Sequence, residues 1–167
     1  SDVCSSDLWI RGNHSPAAAI AKLDLATGEH EVIEGVGHHP IGITHTADGK
    51  WTYVVDGHGS HVYKIDNEEN EVVASASAGV AGPYGIALNW DETEIWLVGK
   101  GEGSHNRGGV LGMIDATTFR PSRVINQPLT LGGSASSVDH AILHPDPAVN
   151  ELWVSNMNGW ETIVVDL

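Results

Sequence analysis

The chain has 167 residues and a formal net charge of −14, with 22 acidic residues against 8 Lys and Arg. Such an acidic surface repels phosphate backbones and anionic lipid headgroups, which excludes nucleic-acid and membrane-surface binding as functions. No apolar run approaches the roughly 20 residues of a membrane-spanning helix, so we expect no membrane span. The 20 glycines, the 7 prolines and the runs rich in Val, Ile, Thr and Trp predict an all-β chain with many turns.

The first eight residues stand apart from the rest. Residues 1–8 read SDVCSSDL, which matches the translation of a common sequencing-adaptor end at every position. We therefore expect this segment to be an artefact that is foreign to the protein, and it is left out of the fold prediction. The single cysteine, Cys4, falls within it, so neither a disulfide nor thiolate chemistry is expected.

From residue 9 onward, one pattern of strands and turns repeats. Each copy has an aromatic residue in one strand-like run and an aspartate that closes the next run. The aromatic residues are Trp9, Tyr53, Trp96 and Trp153, and the aspartates are Asp24, Asp66, Asp115 and Asp166. The aspartates are 42, 49 and 51 residues apart, a period typical of β-propeller blades.

The copies divide residues 9–167 into a partial blade (9–40), two blades (41–83 and 84–139) and a second partial blade (140–167). We predict innermost strands at 42–45 and 85–89, second strands at 51–55, 94–98 and 151–155, third strands at 61–65, 110–114 and 162–165, and outer strands at 71–76 and 123–125. Asp48-Gly49 is expected to form a tight turn, because glycine supplies the positive φ that such turns need. A propeller usually has four to eight blades of about four strands, so about three and a half blades predict a partial β-propeller, a fragment of a ring about twice this length.

The histidines concentrate on one side of this architecture. In up-and-down topology, the loops after the second strands and those before the innermost strands open on one side, called here the loop face. Seven of the ten histidines fall on or beside it: His14, His38, His39, His58, His61, His105 and His140. Imidazole suits Cu, Zn, Fe and Ni and is the usual axial ligand of haem iron. The alternative is structural, since one histidine per repeat can hydrogen-bond the backbone of a Gly-rich loop.

We predict metal ligands on the loop face among six of these histidines: His38, His39, His58, His61, His105 and His140. Asp139 could hold the imidazole of His140 in one tautomer, or it could simply end a loop. The acidic run 66–71 lacks the pattern of a Ca²⁺ loop, which favours a solvated turn. The Gly-rich run 99–109 lacks the ending of a phosphate loop and is expected to lie over the channel mouth. Without a Gly-x-Ser-x-Gly elbow, a serine hydrolase has no support.

With the repeat in view, the chain resembles the YVTN-type, lactonase-like β-propellers. The resemblance rests on HPIGI at 39–43, DGK at 48–50, YVV at 53–55 and VYKID at 62–66, and it continues in the next copy at 83–87, 96–98 and 113–115. It covers residues 9–167 and implies a seven-bladed ring with a periplasmic or extracellular location. That superfamily includes lactonases, binding proteins, surface proteins and cofactor-bearing redox domains, so the resemblance implies architecture more than activity.

A second resemblance is to the haem d1 propellers of nitrite reductase relatives. HAILHP at 140–145, ELWVS at 151–155 and IVV at 163–165 are similar to a blade of those proteins, which hold the macrocycle with histidines from the propeller face. This resemblance implies a cofactor-binding role for His140, with His39 or His58 as further candidates. His38-His39-Pro40 is also similar to the His-His-Pro of the nitrous oxide reductase propeller, so copper is the other metal considered.

Three classes of function remain open. The first is a propeller that binds a metal or a metal-bearing cofactor, haem d1-like or copper, through histidines of the loop face. The second is a non-catalytic binding or surface propeller that grips a small molecule or a protein partner, with Trp160 and the 99–109 loop as contacts. The third is a lactonase-like hydrolase, for which no acid-base constellation is visible. Metal retention that is lost on histidine substitution distinguishes the first class from the second.

Overall fold

The computed structural model describes residues 7–11, 18–99, 110–125, 138–156 and 161–167. These ranges form strands and turns and no helix, so none of them supplies a helix that is long and apolar enough to cross a membrane. The strands are β1 (Asp7–Arg11), β2 (Ala19–Asp24), β3 (His30–Glu34), β4 (Pro40–His45), β5 (Trp51–Asp56), β6 (His61–Asp66), β7 (Glu71–Ser77), β8 (Pro83–Leu88), β9 (Glu94–Gly99), β10 (Val110–Asp115), β11 (Arg120–Ile125), β12 (Val138–Leu143), β13 (Glu151–Asn156) and β14 (Glu161–Asp166).

Four antiparallel sheets follow one another along the chain, and in each of them consecutive strands pair. The first sheet is β1-β2-β3, the second sheet is β4-β5-β6-β7, the third sheet is β8-β9-β10-β11 and the fourth sheet is β12-β13-β14. This succession of three- and four-stranded meanders is the partial β-propeller that the repeat predicts. The bounds of the ten predicted strands agree with the structure to within three residues. No bounds were predicted for β1, β2, β3 or β12, and β1 begins at Asp7, inside the first eight residues.

The sheets stack face to face, so the middle strands of the inner sheets are buried on both sides. β5 and β9 are accordingly near-continuous apolar runs, buried from their second residue onward. The three cores between consecutive sheets are centred on Ile20, Ile33 and Val54, then on Val55, Val62 and Leu97, and then on Val98, Leu111 and Leu152. Full burial of each such side chain contributes about 1.5–3 kcal/mol, which makes this stacking the main stabilising term.

The repeated aspartates have a structural role in turns. Asp24 ends β2, Asp66 ends β6 and Asp115 ends β10. Their carboxylates accept backbone N–H groups of the following turn at 2.7, 2.9 and 2.7 Å. Four residues later the backbone has positive φ at Gly28 (77°), Asn70 (55°) and Phe119 (53°). The spacing of the repeat therefore reflects, in these three sheets, the turn between the strand that the aspartate ends and the next strand.

Glycines set how closely the innermost strands approach one another. β4 lies beside β8, and β8 lies beside β12. A Cβ at Gly42 would lie 2.5 Å from the carbonyl oxygen of Tyr84, and one at Gly85 would lie 2.8 Å from the amide nitrogen of Ala141. Because those atoms belong to the backbone of the next blade, only glycine allows the contact. The close approach brings the starts of the innermost strands together at the loop face.

Candidate functional site

Asp56 organises the loop face of the second sheet. It is the last residue of β5 and its side chain is only 1% exposed. Its carboxylate accepts backbone N–H groups from His38 at 3.1 Å and His39 at 2.9 Å, in the loop before β4, and from His58 at 3.1 Å, in the loop after β5. One carboxylate therefore ties together the two loops that carry these three histidines.

Glycines leave room for this carboxylate. A Cβ at Gly37 or at Gly59 would overlap the carboxylate of Asp56, and Gly37 also has a φ of +85°. Both loops can wrap around the carboxylate only because these residues have no side chain. Burial raises the pKa of Asp56, but backbone N–H donors from the two loops outweigh it and hold the pKa below its ordinary value. The carboxylate is thus charged at neutral pH.

The same arrangement brings two imidazoles together. The ring centroids of His39 and His58 lie 4.5 Å apart with an angle of 58° between their planes. The ring of Tyr84, at the start of β8, is nearly perpendicular to that of His39, and the ring centroids are 6.2 Å apart. The His39 side chain is half-buried, and that of His58 is exposed. His39 and His58 are the two predicted cofactor-binding residues that the structure pairs directly.

The other predicted histidines lie in different surroundings. His38 and His61 are exposed, and the Nδ1 atom of His61 lies 2.6 Å from the carbonyl oxygen of Gly59. His140, in β12, is exposed, and its backbone N–H donates to the hydroxyl of Ser155 at 3.1 Å. His14, His105 and Trp160 lie outside the described residues, as does the 100–109 part of the predicted channel loop.

Asp139 is buried, whereas the side chain of its neighbour His140 is exposed. In the described ranges, no group of three His, Cys, Asp or Glu side chains is arranged to hold a metal ion. The histidine ligand set stays a prediction.

Asp56 is the residue that sequence reasoning missed. Asp56 directly follows the predicted strand 51–55, and an aspartate at the start of a loop is ordinary turn chemistry. The signal that could have found it is the run Asp56-Gly57-His58-Gly59, an aspartate that ends a strand and is followed by alternating glycines. Glycines at both loops around a buried carboxylate are typical of backbone wrapped around an anion.

The innermost strands also form a groove at their other ends, away from the loop face. An apolar groove of about 670 Å³ is lined by Ile43, Ile86, Leu88, Trp90, Ile142 and Leu143, among others. His45 also lines it, with Nδ1 2.8 Å from the hydroxyl of Thr52. Burial lowers the pKa of His45, so this imidazole is neutral at physiological pH. The groove and the histidine pair are at opposite ends of the channel wall.

Comparison with known proteins identifies the architecture. No protein-family model and no curated protein sequence matches the chain. A solved chain of Kuenenia stuttgartiensis hydrazine synthase, a β-propeller, is similar to it with a TM-score of 0.66 and 15% identity, over 99% of this chain and 51% of that chain. The chain thus spans about half the length of that neighbour. Since 566 solved chains match the fold and this identity is low, the likeness shows a propeller-like fold alone.

Proposed function

We propose that this propeller binds a transition-metal ion, or a cofactor that carries one, on its loop face, with His39 and His58 among the ligands. One observation carries the proposal: the two rings are 4.5 Å apart although they come from different loops. Asp56 holds the backbone of both loops with hydrogen bonds of 2.9 and 3.1 Å. A pair that is positioned by a buried carboxylate needs little rearrangement to bind a ligand.

The spacing of the rings fits chelation of one ion. With bonds of about 2.0–2.1 Å from nitrogen to metal, two imidazoles at neighbouring positions of one ion have centroids about 4.5–5.5 Å apart. Imidazole is a ligand for Cu, Zn, Fe and Ni, and the net charge of −14 attracts cations to the protein. The residues present therefore fit the first two ligands of a transition-metal ion.

A tetrapyrrole would use these histidines differently. The two axial ligands of haem iron lie on opposite faces of the macrocycle, and no macrocycle fits between rings with centroids 4.5 Å apart. A haem d1-like cofactor would thus take a single axial imidazole from this face, with His39, His58 and His140 as the candidates. The pair itself favours a chelated ion over a macrocycle.

Further ligands are needed to complete the coordination of an ion. His38, His61, His105 and His140 are the remaining candidates, and water can fill a position that the protein leaves open. By resemblance to the YVTN-type propellers, we place the protein in the periplasm or outside the cell. A site with only two imidazole ligands, one of them exposed to solvent, would bind an ion more weakly than a closed site with four ligands.

The second candidate function is a non-catalytic binding propeller. It is favoured by the fact that the described ranges hold no three-residue group suited to a metal. In that case the histidines shape a polar surface for a small molecule or a protein partner. A lactonase-like hydrolase remains the third candidate, and turnover of a lactone by metal-free protein would favour it.

The experiment is a calorimetric titration of the metal-free protein with Cu²⁺, which binds imidazole sites most tightly among the first-row divalent ions. We expect a saturable site whose affinity falls at least about 100-fold in His58→Ala and in His39→Ala, because even second-shell changes reach about 10–100-fold. The matched control is His30→Ala, an exposed histidine on β3 away from the loop face. An equal loss in all three variants, or no saturable binding by the unmodified chain, would contradict the proposal.

A further inference from the structure

One side chain of the third sheet lies against the imidazole pair. The ring of Tyr84, near the start of β8, is half-buried and nearly perpendicular to the ring of His39, with 6.2 Å between the centroids. A Cβ on Gly57 would lie 3.4 Å from Cε2 of Tyr84, which is van der Waals contact. The phenol ring therefore also packs on the backbone beside His58. Because His39 and His58 belong to loops of the second sheet, Tyr84 reaches them from the next blade.

The backbone on either side fixes where Tyr84 lies. A Cβ on Gly42, in β4, would lie 2.5 Å from the carbonyl oxygen of Tyr84. A Cβ on the next residue, Gly85, would lie 2.8 Å from the amide nitrogen of Ala141, in β12. The segment that carries Tyr84 is thus held between two neighbouring innermost strands, where close packing leaves little room for movement. The phenol ring is therefore a fixed wall beside His39.

The repeat does not require a tyrosine at this position. Ile41, Tyr84 and Asp139 are the second residues of β4, β8 and β12, and each lies where the register with the next strand shifts. An aliphatic residue, a phenol and a carboxylate thus occupy the same place in three consecutive sheets. By contrast, Tyr53 and Trp96 hold one aromatic position of the repeat and are both 2% exposed. The phenol of Tyr84 is therefore a feature of the sheet that follows the imidazole pair, not of the blade pattern.

We propose that Tyr84 positions the imidazole of His39 for metal binding, so that the candidate site spans the second and third sheets. This inference rests on the proposed function. Asp56 accepts the backbone N–H of His39 at 2.9 Å, which fixes the backbone and leaves the imidazole able to rotate about its bond to Cβ. A perpendicular aromatic neighbour favours one orientation of that ring, because edge-to-face contacts are preferred between aromatic rings. Residues that orient a metal-binding histidine raise the affinity of its site.

The test is a calorimetric titration of the full chain with Cu²⁺. Tyr84→Leu removes the ring and keeps an apolar side chain, so we expect the affinity to fall about 10-fold, the lower end of the effect of residues that support metal ligands. Tyr84→Phe restores the ring and should recover the lost affinity. The matched control is Phe119→Leu. Phe119, in the turn before β11, stacks on Tyr53 of the second sheet with 6.0 Å between the centroids. This control removes a similar ring contact between the same two sheets, away from the loop face, and should bind Cu²⁺ like the unmodified protein.

Proton NMR of the metal-free protein tests the geometry separately from binding. The ring current of Tyr84 should displace a proton resonance of the His39 imidazole, and the displacement should be lost in Tyr84→Leu and kept in Tyr84→Phe. A resonance or a Cu²⁺ affinity that Tyr84→Leu leaves unchanged, or an equal loss of affinity in Phe119→Leu, would overturn this inference while metal binding itself stands. Failure of Tyr84→Phe to recover the affinity would overturn it too, and would point to the phenol oxygen as a ligand. If the unmodified protein binds no Cu²⁺, the proposed function fails and this inference fails with it.

Discussion

Replacing Asp56 by alanine should be among the most destabilising single changes on the loop face. The carboxylate is buried and accepts three backbone N–H groups at 2.9–3.1 Å. A hydrogen bond to a charged group contributes about 1.5–3 kcal/mol, and water can reach the partly exposed loops once they loosen. Relaxation of those loops reduces the summed loss, so we expect the free energy of unfolding to fall by about 3–5 kcal/mol. That is well above the ~1 kcal/mol of an average substitution.

Asp56→Asn tests whether the charge matters as well as the shape. An amide keeps one acceptor oxygen but turns a donor towards the loop N–H groups, so we expect a loss of about 1.5–3 kcal/mol. Asp66→Asn is the matched control, because Asp66 also accepts a backbone N–H at 2.9 Å but lies in an exposed turn that asparagine can adopt. Its effect should stay within about 0.5 kcal/mol. Urea unfolding followed by tryptophan fluorescence measures all three variants.

The pH dependence of the same experiment has a definite sign. The pKa of Asp56 is lowered in the folded state, so its contribution to stability is fully present above the ordinary aspartate pKa of 3.8. It is lost as the pH falls through the folded pKa. The stability difference between the unmodified protein and Asp56→Asn should therefore shrink in acid. A difference that is independent of pH, or an Asp56→Ala variant as stable as the Asp66→Asn control, would mean that the charged carboxylate of Asp56 does not hold the two loops together.

Two further predictions concern the channel wall. Gly85→Ala places a Cβ 2.8 Å from the backbone nitrogen of Ala141. Because backbone atoms shift little, the free energy of unfolding in urea should fall by about 1–3 kcal/mol. An unchanged midpoint would mean that β8 and β12 are less tightly apposed. Burial lowers the pKa of His45, so its contribution to stability is present above the ordinary histidine pKa of 6.5 and is lost as the pH falls below it. His45→Gln, which keeps a polar contact to Thr52, should flatten that part of the stability profile, and an unchanged profile would contradict the assignment.

The architecture could be predicted from sequence because each blade repeats the same physical requirements. The second and third sheets each have an apolar strand buried on both faces, and the first three sheets each have a turn capped by an aspartate, so these requirements leave a spaced pattern in the residues. Asp48-Gly49 was predicted to turn through a positive φ, and Gly49 has a φ of 70°. In the next copy Glu92 adopts a φ of 57° at the equivalent position, where no glycine marks the turn. A turn that recurs with the same residue types can therefore be predicted from the sequence, whereas a turn formed by an unusual residue, such as Glu92, cannot.

The arrangement of the site was only partly predictable. The topology assigns His39 and His58 to one face, because loops before the first strand and after the second strand share an end of the blade. It does not give their distance, which depends on Asp56 drawing the two loops together. The carboxylate of Asp56 accepts the backbone N–H of His39, 17 residues away, and since most residues can supply a backbone N–H, only the glycines near Asp56 mark this interaction in the sequence. The exposure of Trp153 was also unforeseen, since its equivalents Tyr53 and Trp96 are buried.

Crystallography of the full chain grown with an equimolar amount of Cu²⁺ would show whether the loop face binds a metal ion, because anomalous scattering locates the ion without assumptions about its ligands. We expect a peak between the rings of His39 and His58, within bonding distance of a nitrogen of each, that disappears in His58→Ala. A peak elsewhere on the molecule with the two imidazoles unoccupied would contradict it, and would leave the loop face as a polar surface for a partner.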